Sequence, residues 1–540
     1  MRLALKSFPL LLILVLSSVA CLASSPLLYP SAFAPSLKSR LQSSLLDDTL
    51  ELEIQSLPSD RPGLELPFIG PKSFADAVLE ALSLQPEQPE IRGDQILLYY
   101  PPTIESNWTD FVPRRRDMFR YNFSTLKYDF RSSFRFLAGY EQDFTPDGDY
   151  GFLYKGWIIN ARINDNISLN TGWWSGEYFG DQASAAQDPL IDSWSSTHSE
   201  RISLDNATAD LNYRDRILSV SLGRGKYTIG NNISGSIILS DKVNDYGYLL
   251  AEARLGEFRI SLLNATLQAD STYSIYDNAA LNAKNYPDKY LALHQISYLP
   301  GDRLDIYAGE TVVYGNRNWD LNYLLPAAFW RAIEHNLRDR DNVLIYAGAS
   351  WEMRPGLLLY LQGALDEMSY SKLFTNWWGN KYAVKTGFST LLPRLWESGD
   401  LPQLSAEITA VRPFTYTHYM NHTMYSHDQR PLGYAKGSNL VDISIELYLP
   451  LMRHLGLVTA FSKVRQGSFG SSWQTNYLDA FSGNQQSEGE ADWFQGTVQD
   501  YYTLSSSLKI DLLSHHKLLL AMCLSDQMPD RYSLAWQFRY

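Results

Sequence analysis

Three histidines and an aspartate that fall in one predicted loop are the residues of this sequence best placed for catalytic or metal chemistry. His418 and His422 have the one-turn spacing of a helical zinc pair, and His427 and Asp428 follow closely. The stretch does not predict a helix, and no glutamate general base stands between the first two histidines. No Gly-x-Ser-x-Gly nucleophile motif with assignable partners is visible. We therefore predict solvated loop histidines, no catalytic residue, no metal, no cofactor and no enzymatic activity.

Aromatic residues beside polar ones indicate a second chemistry, the binding of carbohydrate. Aromatic faces stack on sugar rings, while Asp, Asn and Arg side chains hydrogen-bond to sugar hydroxyls. The alternative for each aromatic residue is a place in an interfacial girdle or packing between loops. The candidate polysaccharide-binding residues are Arg317, Trp319, Asp320, Asn376, Trp377, Trp378, Tyr416 and Tyr419.

The predicted loop 316–341 carries a short helix. Pro326 stands where a first helical turn favours proline, and mostly apolar residues continue to Leu337. We expect this helix to fold inward and close the mouth of a barrel. A structural plug or latch that contacts the lumen is then predicted for Glu334, His335, Arg338, Asp339, Arg340 and Asp341.

The last ten residues indicate the frame that positions these loops. One face of the predicted strand is Tyr532, Leu534, Trp536, Phe538 and Tyr540, and the other is mostly polar. This alternation suits a sheet with lipid outside and water inside. An aromatic end also resembles the insertion signal that the barrel-insertion machinery of outer membranes recognises. An ordinary buried last strand is the alternative.

The chain from residue 117 onward predicts about eighteen strands. Links of one or a few residues alternate with long links, as in barrels with short turns on one rim and long loops on the other. Polar residues alternate with apolar ones within the segments and would line a lumen. The predicted strands are 124–142, 150–163, 166–176, 199–213, 216–227, 246–255, 257–268, 288–298, 302–313, 342–353, 356–367, 381–392, 402–416, 440–450, 453–465, 495–509, 512–524 and 531–540.

The N-terminal region differs from the remainder. Residues 1–23 read as a secretory signal peptide, and whether Cys21 is lipidated stays open. Residues 24–116 predict a small periplasmic helical cap, or a linker, ahead of a barrel formed by 117–540. The fold class is therefore all-β, a transmembrane antiparallel β-barrel of about 18 strands with an N-terminal cap, in the outer membrane of a Gram-negative-type bacterium.

Composition supports this class. The 35 Tyr and 14 Trp residues fit aromatic girdles at the two membrane interfaces. The net charge of −13 argues against nucleic acid as a partner, because nucleic acid requires a basic surface.

Several segments together resemble a known family. Residues 223–224, 235–241, 309–314, Pro326, 334–342, 416–419 and 432–439 are similar, in order and spacing, to the Wzi capsule-assembly family of outer-membrane proteins. The resemblance covers most of the chain from about residue 117. It implies a barrel of about eighteen strands with a periplasmic helical cap, engaged in holding or organising surface polysaccharide.

Two functions remain in view. The first is assembly of capsule or surface polysaccharide, in which a plugged barrel binds and retains the polymer at the cell surface. The second is a gated, porin-like channel for sugars or small solutes. The predicted inward helix and cap favour occlusion, and no one-signed charge ladder of a pore is visible. The expected partners are surface or capsular polysaccharide, outer-membrane lipid and the barrel-insertion machinery, without nucleic acid.

Overall fold

The computed structural model describes most of the chain from residue 119 onward. The predicted signal peptide, 1–23, and the predicted cap or linker, 24–116, lie outside the described residues. The described residues are 119–124, 129–164, 166–188, 196–198, 201–215, 217–269, 287–301, 303–372, 375–393, 401–452, 455–481, 488–513 and 516–539.

Strands make up nearly all of the regular structure. The helices are short: α1 (Gln182–Ala185), α2 (Trp330–Asn336) and α3 (Tyr477–Ala480), with 3-10 turns at Leu321–Leu324, Tyr370–Lys372 and Asn421–Thr423. Within the described residues, no helix has the length and apolar character needed to cross a bilayer. The strands are β1 (Phe119–Ser124), β2 (Asp129–Phe144), β3 (Tyr150–Ile163), β4 (Ile167–Gly180), β5 (Ser196–His198), β6 (Arg201–Arg214), β7 (Leu218–Gly225), β8 (Tyr246–Leu255), β9 (Phe258–Gln268), β10 (Asp288–Tyr298), β11 (Leu304–Gly315), β12 (Asn342–Arg354), β13 (Leu357–Glu367), β14 (Lys381–Leu391), β15 (Gln403–Val411), β16 (Ser426–His427), β17 (Arg430–Pro431), β18 (Leu440–Met452), β19 (Leu455–Gly467), β20 (Val498–Leu513), β21 (His516–Ser525) and β22 (Arg531–Arg539).

Neighbouring strands pair antiparallel around a complete ring. β2 pairs with β3 on one side and with β22 on the other, so the last strand returns to the first long one. The sheet has 20 strands; β1 and β5 are short additions to it, and the other 18 form the ring. The predicted barrel of about 18 antiparallel strands is confirmed.

Side chains alternate between the two faces of the wall. In β22, Tyr532, Leu534 and Trp536 are exposed on the outside, whereas Gln537 points inward and donates a hydrogen bond to the Tyr154 hydroxyl. The outer face is therefore apolar along this strand, as the sequence predicted. A closed sheet leaves no strand edge unpaired, so its backbone is satisfied even in lipid.

Connection lengths separate the two rims. β3 and β4, β8 and β9, and β12 and β13 are joined by tight turns at one rim, while 226–245, 316–341 and 412–439 leave the other. Short turns face the periplasm in such barrels, so the long loops are extracellular. Several predicted strand boundaries were wrong by a few residues, and two of them change a turn or a loop. Asp511 falls in the link between the predicted strands 495–509 and 512–524 but pairs with Lys517 in the β20–β21 ladder. β15 ends at Val411, before the predicted residue 416.

Tyrosine rings inside the barrel occupy the space beside glycines of the neighbouring strand. A Cβ atom added at Gly348 would lie 2.4 Å from the Tyr307 ring, so only glycine leaves room for that ring. Part of the tyrosine content thus covers the inner wall instead of forming girdles. The cross-strand pairs are Tyr154 with Gly139, Tyr248 with Gly223, Tyr307 with Gly348, Tyr346 with Gly309, and Tyr360 with Gly387.

Candidate functional site at the extracellular mouth

Residues 226–245, which link β7 to β8, fold against the inner wall of the barrel, and we call them the lumen plug. Their apolar side chains pack in one cluster with inner-wall residues such as Tyr307 and Tyr346. Removing these apolar surfaces from water stabilises the plug inside the barrel. The plug residues that are 0% exposed include Ile229, Ile237, Ile238, Leu239 and Val243.

A second loop, 412–439 between β15 and β18, folds against the plug, and we call it the capping loop. The Tyr416 hydroxyl donates to the Ile237 carbonyl at 2.7 Å, and the Tyr425 hydroxyl donates to the Ile238 carbonyl at 2.8 Å. Both hydroxyls are buried, and buried polar groups are stable when they are hydrogen-bonded. The capping loop therefore binds the backbone of the plug.

A buried ion pair ties the plug to the inner wall. Lys385 Nζ in β14 lies 2.5 Å from Glu407 Oε1 in β15, and both side chains are 0% exposed. Lys385 Nζ also donates to the Gly235 carbonyl at 2.5 Å. The Glu407 carboxylate accepts the backbone N–H of Ile233 at 3.0 Å and the hydroxyl of Ser234. Removing either charge would leave the other buried without its partner.

The segment 316–341, predicted to plug the lumen, lies on the outside of the wall, and we call it the outer flap. Ile296 in β10 and Ile306 in β11 are 46% and 45% exposed on the outer face. His294 and Glu310 share that face because side chains on one face recur every second residue. Trp330 of the flap stacks on the His294 ring, with 4.1 Å between centroids. The prediction of an inward helix was wrong, because the wall positions that receive it point outward.

The first residues of α2 explain how the flap is held there. The backbone N–H groups of Trp330 and Arg331 donate to the Glu310 carboxylate at 2.7 and 3.0 Å. A carboxylate at a helix N-terminus also meets the positive end of the helix dipole. The helix starts at Trp330 and not at Pro326 as predicted; the Pro326 carbonyl lies 3.0 Å from His294 Nδ1.

Asp341 acts as a latch, but within the flap. Its carboxylate accepts two bonds from the Arg317 guanidinium, both 2.7 Å, and one from the Tyr323 hydroxyl, also 2.7 Å. Arg317 also pairs with Asp320 at 3.2 Å. Two of the predicted sugar-binding residues, Arg317 and Asp320, are thus engaged in closing the base of the flap.

The other predicted latch residues also lie on the flap, and the Tyr419 hydroxyl of the capping loop donates to the Asp339 carbonyl at 3.3 Å. Glu334 pairs with Arg331 at 2.5 Å, and His335 lies 3.4 Å from Asp339. Burial raises the pKa of Glu334 to about 7, although Arg331 acts in the opposite direction. Ligand atoms of Glu334, His335 and Asp339 come within 4.8 Å of one another, but the Arg331 guanidinium already occupies the Glu334 carboxylate. Arg338 and Arg340 are exposed at the end of the flap.

An aromatic patch lies at the extracellular mouth beside the capping loop. It consists of Trp377, Trp378, Tyr419 and Tyr477, and we call it the outer aromatic patch. Ring centroids lie 5.7 Å apart for the two tryptophans, 4.7 Å for Trp378 and Tyr477, and 6.2 Å for Tyr419 and Tyr477. Trp378 is buried, and the other three are half-buried. Such rings can stack on a flat apolar ligand face.

Charged residues at the ends of two paired strands complete the patch. Lys381 Nζ lies 4.4 Å from the Tyr477 ring centroid and 5.1 Å from that of Trp378, within cation–π range. It forms an ion pair with Glu367 at 2.9 Å. The Glu367 side chain is 37% exposed, so its carboxylate can accept hydrogen bonds from hydroxyl groups in the mouth.

The turn that carries the two tryptophans also holds unused polar atoms. Among the described residues, Trp377 Nε1 and Asn380 Oδ1 have no hydrogen-bond partner, although both are buried. The Asn380 backbone N–H donates to the Trp377 carbonyl at 3.1 Å, which places both residues in one turn. Asn376 Nδ2 donates to Asp492 at 2.5 Å and links this turn to the next loop. A donor and an acceptor are thus left next to the aromatic rings.

The eight predicted polysaccharide-binding residues do not form one site. Tyr416 is fully buried against the plug. Lys381 and Glu367 were missed, although they stand opposite each other at the ends of one predicted hairpin. Tyr477 comes from a distant loop and gave no local signal. The remaining predicted residues divide between the outer aromatic patch, with Asn376, Trp377, Trp378 and Tyr419, and the outer flap, with Arg317, Trp319 and Asp320.

His418 and His427 are packing residues, so the prediction that they are solvated was wrong for these two; His422 is half-buried. The His418 ring stacks on Tyr419 at 4.4 Å, and burial lowers the pKa of His418 to about 3. His427 Nδ1 accepts the Gln268 backbone N–H at 2.9 Å, and burial lowers the pKa of His427 to about 4. Both rings are therefore neutral near pH 7.

The wall and its contents define the class of protein. A closed antiparallel barrel with apolar residues outside, polar and tyrosine residues inside and long loops on one rim is an outer-membrane β-barrel. The predicted location in the outer membrane follows from this architecture.

Solved structures of three bacterial proteins are similar to this chain at low sequence identity. No protein-family model matches the sequence, and no curated protein matches it either. The structure is similar to Wzi of Escherichia coli, an outer-membrane protein involved in group 1 capsule assembly and a carbohydrate-binding β-barrel. Identity is 13% over 75% of this chain and 84% of that one, with a TM-score of 0.49.

Two Pseudomonas aeruginosa proteins are also similar in fold. OccK5 (OpdH) is 10% identical over 76% of this chain and 97% of its own, with a TM-score of 0.42. OccK8 (OprE) is 8% identical over the same shares, with a TM-score of 0.43.

Proposed function

We propose that the protein binds and retains capsule or surface polysaccharide at the cell surface, as a non-enzymatic barrel with a plugged lumen. The observation that carries this proposal is the outer aromatic patch, three half-buried rings and the buried Trp378 beside Glu367 and Lys381 at the mouth. Stacking on sugar rings and hydrogen bonding to hydroxyls both use such a surface.

The filled lumen supports retention over transport. The plug is held by an apolar cluster, by two tyrosine hydroxyls of the capping loop and by the Lys385–Glu407 pair. A polymer that lies across the rim needs no passage through the barrel. The patch is therefore a docking place for chains that extend beyond it, which suits a polysaccharide.

A gated channel for sugars or small solutes is the second candidate. A polar inner wall favours it: Asn160 donates to Asn170 at 2.7 Å, and Asn170 donates to Asp210 at 3.1 Å. Such a wall would be hydrated if the plug left the lumen. This candidate requires release of the Lys385–Glu407 contacts to the plug, whereas polysaccharide retention does not.

The test is binding of purified barrel to surface polysaccharides, measured on an array and then by calorimetry. We expect Trp377→Ala and Tyr477→Ala each to weaken binding by about five-fold, or about 1 kcal/mol per lost stacking contact. Trp319→Ala is the matched control, because Trp319 is an exposed tryptophan on the outer flap, and it should bind normally. An equal loss at Trp319, or no affinity of the unaltered protein for any polysaccharide, contradicts the proposal.

A further inference from the structure

The outer face of the wall carries two polar residues where a membrane barrel would normally present apolar ones. His294 and Glu310 are buried on this face and lie 2.9 Å apart, His294 Nε2 to Glu310 Oε2. Polar groups that face lipid are costly unless they are satisfied. The outer flap satisfies them through Pro326, Trp330 and Arg331. The flap is therefore a covering of the outer wall at this place.

The flap replaces the covered wall with a new apolar surface. Its inner side holds Tyr323 and Trp330, both 0% exposed, while its outer side presents Leu321, Leu325 and Phe329, which are 74%, 54% and 60% exposed. Large apolar side chains at this level of exposure, grouped on one short segment, mark a contact surface.

That surface is continuous with the lipid-facing wall. Ile306 lies four residues below Glu310 on the same face of β11, and Trp351 on β12 stands beside Leu304 in register. Both Ile306 and Trp351 are exposed on the outside of the barrel. The flap thus extends the apolar outer face of β10 to β12 towards the extracellular rim.

Asn322 is exposed beside Leu321 and donates to Asp320 within the flap, while the exposed charged residues 338–340 stand at the C-terminal end of the flap. Glu310 accepts the first N–H groups of α2, and Asp341 is closed by Arg317 and Tyr323. A segment whose polar groups are satisfied internally can enter the membrane interface at little cost.

We propose that the outer flap is inserted among the acyl chains of the outer-leaflet lipid, with Leu321, Leu325 and Phe329 as the inserted residues. Continuity with the lipid-facing wall is the reason to choose lipid over a second copy of this chain or another protein. The outer flap thereby anchors the extracellular rim of the barrel to the outer leaflet on one side.

The test places a photoreactive benzophenone amino acid at position 325 of the full chain in its native membrane. Position 361 is the lipid control, because Leu361 is exposed on the outer wall. Position 370 is the water control, because Tyr370 is 88% exposed in the β13–β14 loop. A second probe at position 329 controls for a local folding defect at position 325. Heat-modifiable migration of each variant on gel electrophoresis shows whether its barrel is folded.

Lipid adducts at positions 325 and 329 are expected at a yield similar to position 361 and several-fold above position 370. Adducts of twice the protein mass would assign the surface to a second copy and overturn the proposal. Adducts to a different protein, or a lipid yield as low as that of position 370, would overturn it as well. None of these outcomes depends on polysaccharide binding.

Discussion

The lumen plug and the outer flap are two long extracellular connections that fold onto opposite faces of the same wall. The plug contacts residues on the inner face, such as Lys385 and Glu407. The flap contacts His294 and Glu310 on the outer face. Each loop meets a charged wall residue with its own backbone N–H or carbonyl groups. Each also buries apolar side chains of its own against that wall.

The difference teaches that the wall, more than the loop, decides where a loop folds. Side chains alternate along a strand, so a shift of one position moves a residue from lumen to lipid. Glu310 and Thr311 are neighbours in β11, yet Glu310 binds the flap while Thr311 bonds to Tyr425 of the capping loop. A helical loop with apolar residues could pack on the inner or the outer face of the wall. The wall residue that binds its backbone decides which face it takes.

Replacement of the lumen plug should separate the two loops by the largest difference, which is a difference in conductance. We expect a Gly/Ser segment of equal length in place of 229–239 to raise the conductance of the barrel in a planar bilayer, because the apolar side chains of this segment pack against the inner wall. The same replacement of 321–331 in the flap should leave the conductance unchanged. Raised conductance only in the flap variant would reverse the two roles.

Breaking the buried ion pair should weaken the inner anchor. Lys385→Met or Glu407→Gln should each lower the free energy of unfolding by about 3–5 kcal/mol, since each leaves one buried charge unpaired. Denaturant unfolding followed by tryptophan fluorescence measures this. The double variant should lose less than the sum. As a control, His335→Ala breaks an exposed flap pair and should change stability by no more than about 1 kcal/mol.

Removing the outer anchor should loosen the flap alone. Glu310→Ala leaves the backbone N–H groups of Trp330 and Arg331 without an acceptor, at a local cost of about 1–3 kcal/mol. Hydrogen exchange should become faster in 321–336 and stay unchanged in 229–243. Glu310→Gln keeps an acceptor oxygen and should have a smaller effect. Faster exchange in the plug would show that the two loops are coupled through the wall.

The smallest expected effect is a pH dependence confined to the flap. Burial raises the folded-state pKa of Glu334 from 4.5 to about 7, with Arg331 opposing and Asp339 and Asp341 adding to the rise. The folded flap binds the proton more tightly, so its stability is greatest below about pH 4.5 and falls as pH rises through about 7.

Hydrogen exchange in α2, corrected for the intrinsic rate, should therefore show less protection at about pH 8 than at about pH 5. Glu334→Gln should remove this difference and serves as the control. A dependence that persists in Glu334→Gln would assign it to another group, such as His335, which lies near Asp339.

The wall could be predicted from the sequence because its signals are local. Two-residue alternation and the rhythm of short and long links located strands such as Tyr246–Leu255 and Asp288–Tyr298 with their observed bounds. The predicted link between 495–509 and 512–524 was misplaced, because the pairing of Asp511 with Lys517 depends on the neighbouring strand.

The site could be predicted only in part. Trp377 and Trp378 were found because they are adjacent aromatic residues in a loop, but Tyr477 reaches them from a distant segment. The direction of 316–341 depends on whether Glu310 faces lipid or lumen. Which face Glu310 occupies depends on how β11 pairs with its neighbours in the wall. The sequence of the loop carries no information about that pairing. Tyr416 resembled a sugar contact but serves as a hydrogen-bond donor to the plug.

The tyrosine rings that lie beside glycines restrict how such a chain can change during evolution. Any side chain at Gly348 would collide with the Tyr307 ring, while loss of that ring would uncover the backbone beside Gly348. A single substitution at either position is therefore expected to destabilise the barrel. Simultaneous substitution of both residues is expected to destabilise it less. Related barrels that have drifted far apart in sequence are expected to vary at these positions two at a time.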